Sequence, residues 1–222
     1  MTAAMTLKFE VPSIGEAVSA ILQRPDEPVG LFVLGHGSGS NMYVPLMVGL
    51  ADALADHGVA TLRFEYPYSD KPEFVPNSDM PQDADDVLIA TVRAALACAA
   101  TEAPELPLFV GGHSVSAQMA SKADANDPLA AEAIISMGFP RKGDPANTAH
   151  LDSTTLPMLL IQGTKDILGS EAEIADMAGT LGDRATVRWV QGASHGFNVE
   201  GRQDGEVIGE VANHINDYIR QQ

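Results

Sequence analysis

"LPLFVGGHSVSAQMA", residues 106–120, carries an apolar run into two glycines, a serine and then a row of small residues. Two readings compete for Ser114. It is a nucleophile presented on a sharp strand-to-helix turn, or an ordinary serine capping the helix that follows. The first requires small residues two positions before and two after the serine, so that strand and helix can approach each other. Gly112 meets that requirement, and Ser116 stands where glycine is usual.

The neighbouring sequence supplies the setting. Short, nearly continuous apolar runs recur at 29–35 (VGLFVLG), 59–64 (VATLRF), 106–112, 131–138 (AEAIISMG), 156–163 (LPMLLIQG) and 185–192 (ATVRWVQG). Strands apolar on both faces belong to a parallel sheet covered by helices. Between them, Leu46, Leu50 and Leu54, then Leu88, Val92, Leu96 and Ala99, then Ile208, Val211, Ile215 and Ile219 recur at helical spacing. The acidic "DADD" at 83–86 suits the start of the second of these helices. Residues 5–24 differ: two extended pieces around Pro12 and Gly15 with no helix between them, which predicts an antiparallel hairpin at the sheet edge. The expected fold is therefore α/β, a mostly parallel, doubly wound sheet with an N-terminal edge hairpin and no separate lid domain, as one domain over residues 1–222.

Composition narrows the function. Thirty acidic against thirteen basic residues give a formal charge of −17, which repels nucleic acid and anionic membrane surfaces alike. No apolar run approaches the roughly 18 residues of a membrane span. The N-terminal stretch lacks the basic flank and apolar block of a secretory signal, so a cytoplasmic location is expected. The single cysteine, Cys98, sits in an alanine-rich helix where a small apolar residue is wanted. No pair of Cys or His has ligand spacing, so neither a metal nor a cofactor is expected.

An acyl-transfer serine needs a histidine to take its proton and a carboxylate to orient that histidine, in the chain order serine, acid, histidine. Asp166 follows the run 156–163, and His195 follows the run 185–192. Both would lie at the same sheet edge as Ser114. Each has a bland alternative: Asp166 as a cap for the helix near "SEAEIADMA", His195 as a loop histidine. Of the other histidines, His150 in the excursion 139–155 is the rival base, and His113 is expected to point off the turn. Two backbone amides should hold a developing oxyanion: that of Val115, after the nucleophile, and that of Ser38 (with Gly39 as the alternative) in the glycine-rich "GHGSGSN" at 35–41. That loop lacks the Lys-Ser/Thr ending of a nucleotide-binding loop.

Taken together, "LGHGSGSNMYVP", "TLRFEYPY", "GGHSVSAQMA", "LIQGTKD" and "SHGF" resemble the α/β-hydrolase superfamily. Within it the chain is most similar to the small domain shared by a testis-expressed protein and a scaffold subunit of a histone acetyltransferase complex, a group itself similar to dienelactone hydrolases. The resemblance covers the chain from about residue 29 and implies a triad of Ser114, Asp166 and His195. Dienelactone hydrolases use a cysteine nucleophile, so their specific activity is not carried over to a serine. Some relatives act as interaction scaffolds.

The expected function is that of a serine hydrolase cleaving a small to medium ester or thioester, as a monomer or homodimer. The alternative is a non-catalytic binding module. The excursions 66–82 and 139–155 are expected to line the substrate pocket, with Tyr43, Tyr66, Tyr68, Phe139 and Phe197 as apolar surface. Arg141 and Lys142 form a basic pair there, either solvated or bound to an acidic acyl group.

Overall fold

The computed structural model describes residues 3–141 and 147–222. Its centre is an eight-stranded sheet: β1 (Ala3–Val11), β2 (Glu16–Arg24), β3 (Gly30–Gly35), β4 (Val59–Phe64), β5 (Leu108–His113), β6 (Ala133–Met137), β7 (Met158–Gly163) and β8 (Ala185–Val190). The strand order is β1-β2-β4-β3-β5-β6-β7-β8. β1 and β2 form the expected hairpin, in a register running from Ala3↔Arg24 to Val11↔Glu16, and β2 joins β4 antiparallel. The remaining pairs are parallel.

Burial explains this arrangement. Every residue of β3, β4 and β7 is buried, as parallel strands require when helices cover both faces. Two helices, α1 (Pro45–Asp56) and α5 (Asp204–Ile219), lie on one face; α2 (Asp85–Glu102), α3 (Val115–Asn126) and α4 (Glu171–Leu181) lie on the other. Leu50 and Leu54 of α1 pack with Val211, Ile215 and Ile219 of α5. Leu88, Val92, Leu96 and Ala99 of α2 meet Ala117, Ala120 and Ala123 of α3. The leucine and isoleucine stripes of the sequence are thus the core faces of these helices.

The chain leaves β3 to build β4 on one side, and β5 to β8 on the other, so the sheet order reverses between β3 and β5. At such a reversal the loops after the two strands part and open a crevice at their carboxyl ends. The loops that open here are those carrying Ser38 and Ser114.

One buried carboxylate ties α3 to the sheet. Asp124 is fully buried and accepts from the N–H groups of Leu129 (3.0 Å), Thr155 (2.5 Å) and Leu156 (3.0 Å). Asp124→Ala strands those donors and is expected to cost about 3 kcal/mol or more. Asp127→Ala, removing an exposed partner of Arg93, is expected to cost at most about 0.5 kcal/mol. Urea denaturation of the two variants measures the contrast, and equal losses would refute this account of the tether.

Candidate active site

Ser114 sits between β5 and α3 with φ 53° and ψ −113°, a left-handed backbone that a non-glycine residue keeps only when its surroundings enforce it. The enforcement is visible. Its N–H donates to Met137 O on β6 at 2.9 Å. Just before it, β5 and β3 approach so closely at the pair Gly35↔Gly112 that a Cβ on Gly112, at φ 138°, would collide with Gly35 O. Ser114 does occupy the N-cap position of α3, but its side chain makes no cap hydrogen bond. The hydroxyl instead lies 2.9 Å from His195 Nε2.

His195 Nδ1 donates to Asp166 Oδ2 at 2.8 Å. A carboxylate only accepts, so Nδ1 carries the proton and Nε2 presents its lone pair to the serine. Asp166 is 4% exposed and held from two further directions, by Gln162 Nε2 at 2.7 Å and Leu168 N–H at 2.8 Å. It does not cap α4; Ser170 does, in a reciprocal capping box with Glu173. The three residues predicted as a triad therefore meet as one hydrogen-bonded chain.

That chain opens into a cavity of about 580 Å³ lined by Gly37, Ser38, His113, Ser114, His195 and Phe197, by Pro76 and Asn77 from the loop after β4, and by the first turns of α1 and α5. Ser38 stands on its wall, with its hydroxyl accepting from Gln82 Nε2. Val115 is the first residue of α3, where the N–H has no intrahelical partner. Gly39, the alternative to Ser38, has its carbonyl fixed by Asn77 N–H at 2.7 Å. Among the described residues no cluster of His, Cys, Asp or Glu has the makeup of a metal site.

Several expected pocket residues lie elsewhere. Tyr66 and Tyr68 are buried in the core behind the wall. Phe139 is fully buried, because the chain turns inward after Gly138 at φ 66°, and its N–H donates to Gln162 Oε1 at 2.8 Å. Its contribution is to orient the Gln162 amide so that Nε2 faces Asp166. Tyr43 is 57% exposed and takes no part in the wall, which passes from Ser40 to Val44. Arg141 turns away onto α4, donating to Glu173 O and Asp176 Oδ2, each at 2.7 Å. Lys142 lies outside the described residues. Of the two excursions, only 66–82 reaches the cavity among the described residues. Phe197 lines it as expected.

Two histidines need separate placement. The rival base His150 bonds Ser121 through Nε2 at 2.7 Å, two turns along α3 from Ser114. His113 does not point off the turn. Its ring packs 4.9 Å from that of His195, and its Nε2 donates to His195 O at 2.8 Å, steadying the loop that carries His195. The sequence signalled it only by adjacency to the serine. Burial, then the nearby His195, lowers the His113 pKa from 6.5 to about 4.

A histidine whose pKa is lower folded than unfolded binds its proton more readily in the unfolded chain, so stability declines as pH falls from about 6.5 toward 4. His113→Asn should therefore flatten the pH dependence of unfolding free energy between pH 7 and 5, by at most about 1.4 kcal/mol per pH unit. Urea melts across that range test it; parallel curves for variant and wild type would refute it.

Comparisons with known proteins agree with this architecture. The fold matches a dienelactone hydrolase from Anabaena variabilis with a TM-score of 0.80 at 21% identity, over 99% of this chain and 98% of that one. It matches an α/β serine hydrolase without lid from Xanthomonas campestris with a TM-score of 0.74 at 21% identity, over 97% and 94%. A cold-adapted esterase from an Arctic intertidal metagenomic library gives 0.74 at 19% identity, over 97% and 94%. At such identities these likenesses speak to fold. The model of a family described as an alpha/beta hydrolase domain matches residues 28–220, and the chain belongs to that family.

Proposed function

We propose that this protein is a serine hydrolase that cleaves a small to medium ester or thioester through an acyl-enzyme. The observation that carries this reading is the relay from Asp166 through His195 to Ser114, with separations of 2.8 and 2.9 Å, at the wall of the cavity. Ser114 Oγ attacks the acyl carbonyl as its proton passes to His195 Nε2. The amides of Ser38 and Val115 receive the charge that develops on the carbonyl oxygen. When the tetrahedral intermediate collapses, His195 returns the proton to the departing alkoxide or thiolate. Water then attacks the acyl-enzyme, losing a proton to His195. Breakdown releases the carboxylic acid and restores the Ser114 hydroxyl.

The wall supports an uncharged, apolar acyl group. Val44, Leu46, Met47, Leu168, Phe197 and Ile208 bring apolar side chains to it, and Asp204 is the one carboxylate among the described lining residues. Among the described lining residues there is no Lys or Arg. Arg141, the nearest expected cation, is spent on α4. An acyl group bearing a carboxylate would lose its hydration there without gaining a counterion.

Labelling with a fluorophosphonate probe tests the reaction class. Wild type should take up one probe per chain on Ser114, located by mass spectrometry, and Ser114→Ala none. Ester turnover should fall at least about 10⁴-fold in Ser114→Ala. A folded protein that takes no label would favour the binding-module alternative. Separately, kcat/KM for p-nitrophenyl butyrate should exceed that for the mono-p-nitrophenyl ester of succinate by about tenfold or more, since the latter buries an unpaired charge. Equal values would refute the apolar assignment of the wall.

A further inference from the structure

Ser116 is fully buried two residues after the nucleophile, where glycine is usual in such turns. Its side chain fits because residue 35 is glycine; a Cβ there would collide with Ser116 Oγ. The hydroxyl lies 2.6 Å from His36 O and 2.8 Å from Tyr66 Oη. A carbonyl only accepts, so the single Ser116 proton goes to His36, and the Tyr66 phenol must donate to Ser116. Tyr66 is fully enclosed, and burial pushes its pKa up, so it keeps that proton.

The carbonyl that Ser116 grips begins the loop carrying Ser38. One peptide further on, Gly37 O accepts from His36 Nδ1 at 2.9 Å and from Ser40 N–H at 3.2 Å. Gly37 C=O and Ser38 N–H belong to one trans peptide and point in opposite directions, so holding the carbonyl aims the amide. The far end of the loop is gripped from β4 and its extension. Met42 N–H donates to Glu65 at 3.1 Å, and Met42 O accepts from Arg63 at 3.0 Å. His36 Nε2 rests 3.0 Å from Ser69 Oγ. Ser116 is the one link in this set that stands on α3, the same element as Val115.

We propose that Ser116, backed by Tyr66, is a positioning residue that fixes the spacing between the Val115 and Ser38 amides by joining the nucleophile turn to the Ser38 loop. This rests on the hydrolase reading above. Glycine at this position would leave the Tyr66 hydroxyl and the His36 carbonyl, both enclosed, without the partner that now joins them. The serine thus replaces the close packing of a bare glycine with a hydrogen-bonded strut. Its benefit falls on the transition state, because the oxyanion uses both amides at once whereas the bound ester does not.

The experiment compares wild type, Ser116→Ala, Ser116→Gly and Tyr66→Phe. Each is measured for kcat and KM on p-nitrophenyl butyrate per site titrated with fluorophosphonate, and for inhibition by a trifluoromethyl ketone, which forms a tetrahedral adduct on the serine. Ser116→Ala and Ser116→Gly should lower kcat per titrated site roughly tenfold, less than the roughly 100-fold for deleting an oxyanion donor. KM should stay within about twofold, and ketone affinity should weaken in parallel with kcat. Tyr66→Phe should move both quantities the same way by a smaller factor. If the variants lose only thermal stability and titratable fraction, with kcat per site and ketone affinity at wild-type values, the proposal is overturned. Should the Ser116 variants not fold, Tyr66→Phe decides by the same two quantities. A wild type that takes no label overturns the hydrolase reading and this proposal together; a labelled wild type with an unaffected Ser116→Ala overturns this proposal alone.

Discussion

Everything at the carboxyl edge of the sheet depends on the near-contact of β3 and β5 at Gly35 and Gly112. That approach leaves no room for a side chain on Gly112, and it brings the two strands to their ends level with each other. The chain must then reverse within one residue to start α3, which forces Ser114 into its left-handed conformation. A residue so placed has its side chain on the outside of the turn, clear of both strand and helix. The strain of about 1–3 kcal/mol that such a backbone stores is met by fixed partners: Met137 O for its amide and His195 for its hydroxyl.

A second tier of buried polar groups surrounds this turn. Gln162 and Leu168 hold Asp166, His113 holds the His195 loop, and Glu65, Arg63 and Ser69 hold the loop of Ser38. Buried polar groups cost free energy unless each finds a partner, and an apolar core would serve stability at least as well. Their concentration around one turn, while the buried faces of α1 and α5 are apolar throughout, marks the region as one where orientation counts for more than packing energy. The partners come from β4, β7, the end of β5 and the loops that directly follow β4 and β7, so the carboxyl edge of the sheet sets the geometry.

Much of this was legible in the sequence because parallel strands covered on both faces must be apolar throughout. The runs ending at Gly35, Phe64 and Gly163 therefore show where loops begin, and the loops beginning there carry Ser38 and Asp166. The buried faces of three helices followed from leucine and isoleucine spacing, and the N-terminal hairpin from the turn at 12–15. What stayed hidden was side-chain direction in the loops. Tyr66 and Phe139 have the composition of pocket walls, but Tyr66 is drawn inward by the Ser116 hydroxyl and Phe139 by the turn at Gly138. No periodicity exists over a one-residue turn, so nothing in the pattern says whether His113 faces the core, the solvent or His195. Only the strained angle of the next residue settles that.

Arg141 shows the same limit for charge. In a chain of net charge −17, a basic pair in a loop expected to line the pocket invites assignment to an anionic ligand. Yet acidic residues so outnumber basic ones that almost any arginine has a carboxylate or carbonyl within reach, and α4 offers both in Asp176 and Glu173. With its guanidinium satisfied on α4, Arg141 is no part of a cavity wall that includes Leu46, Met47, Phe197 and Ile208. Among the described lining residues Asp204 is the one carboxylate and none is Lys or Arg, so a negative charge placed there meets no counterion among them, and the surplus of acid over the whole chain repels it from farther out as well.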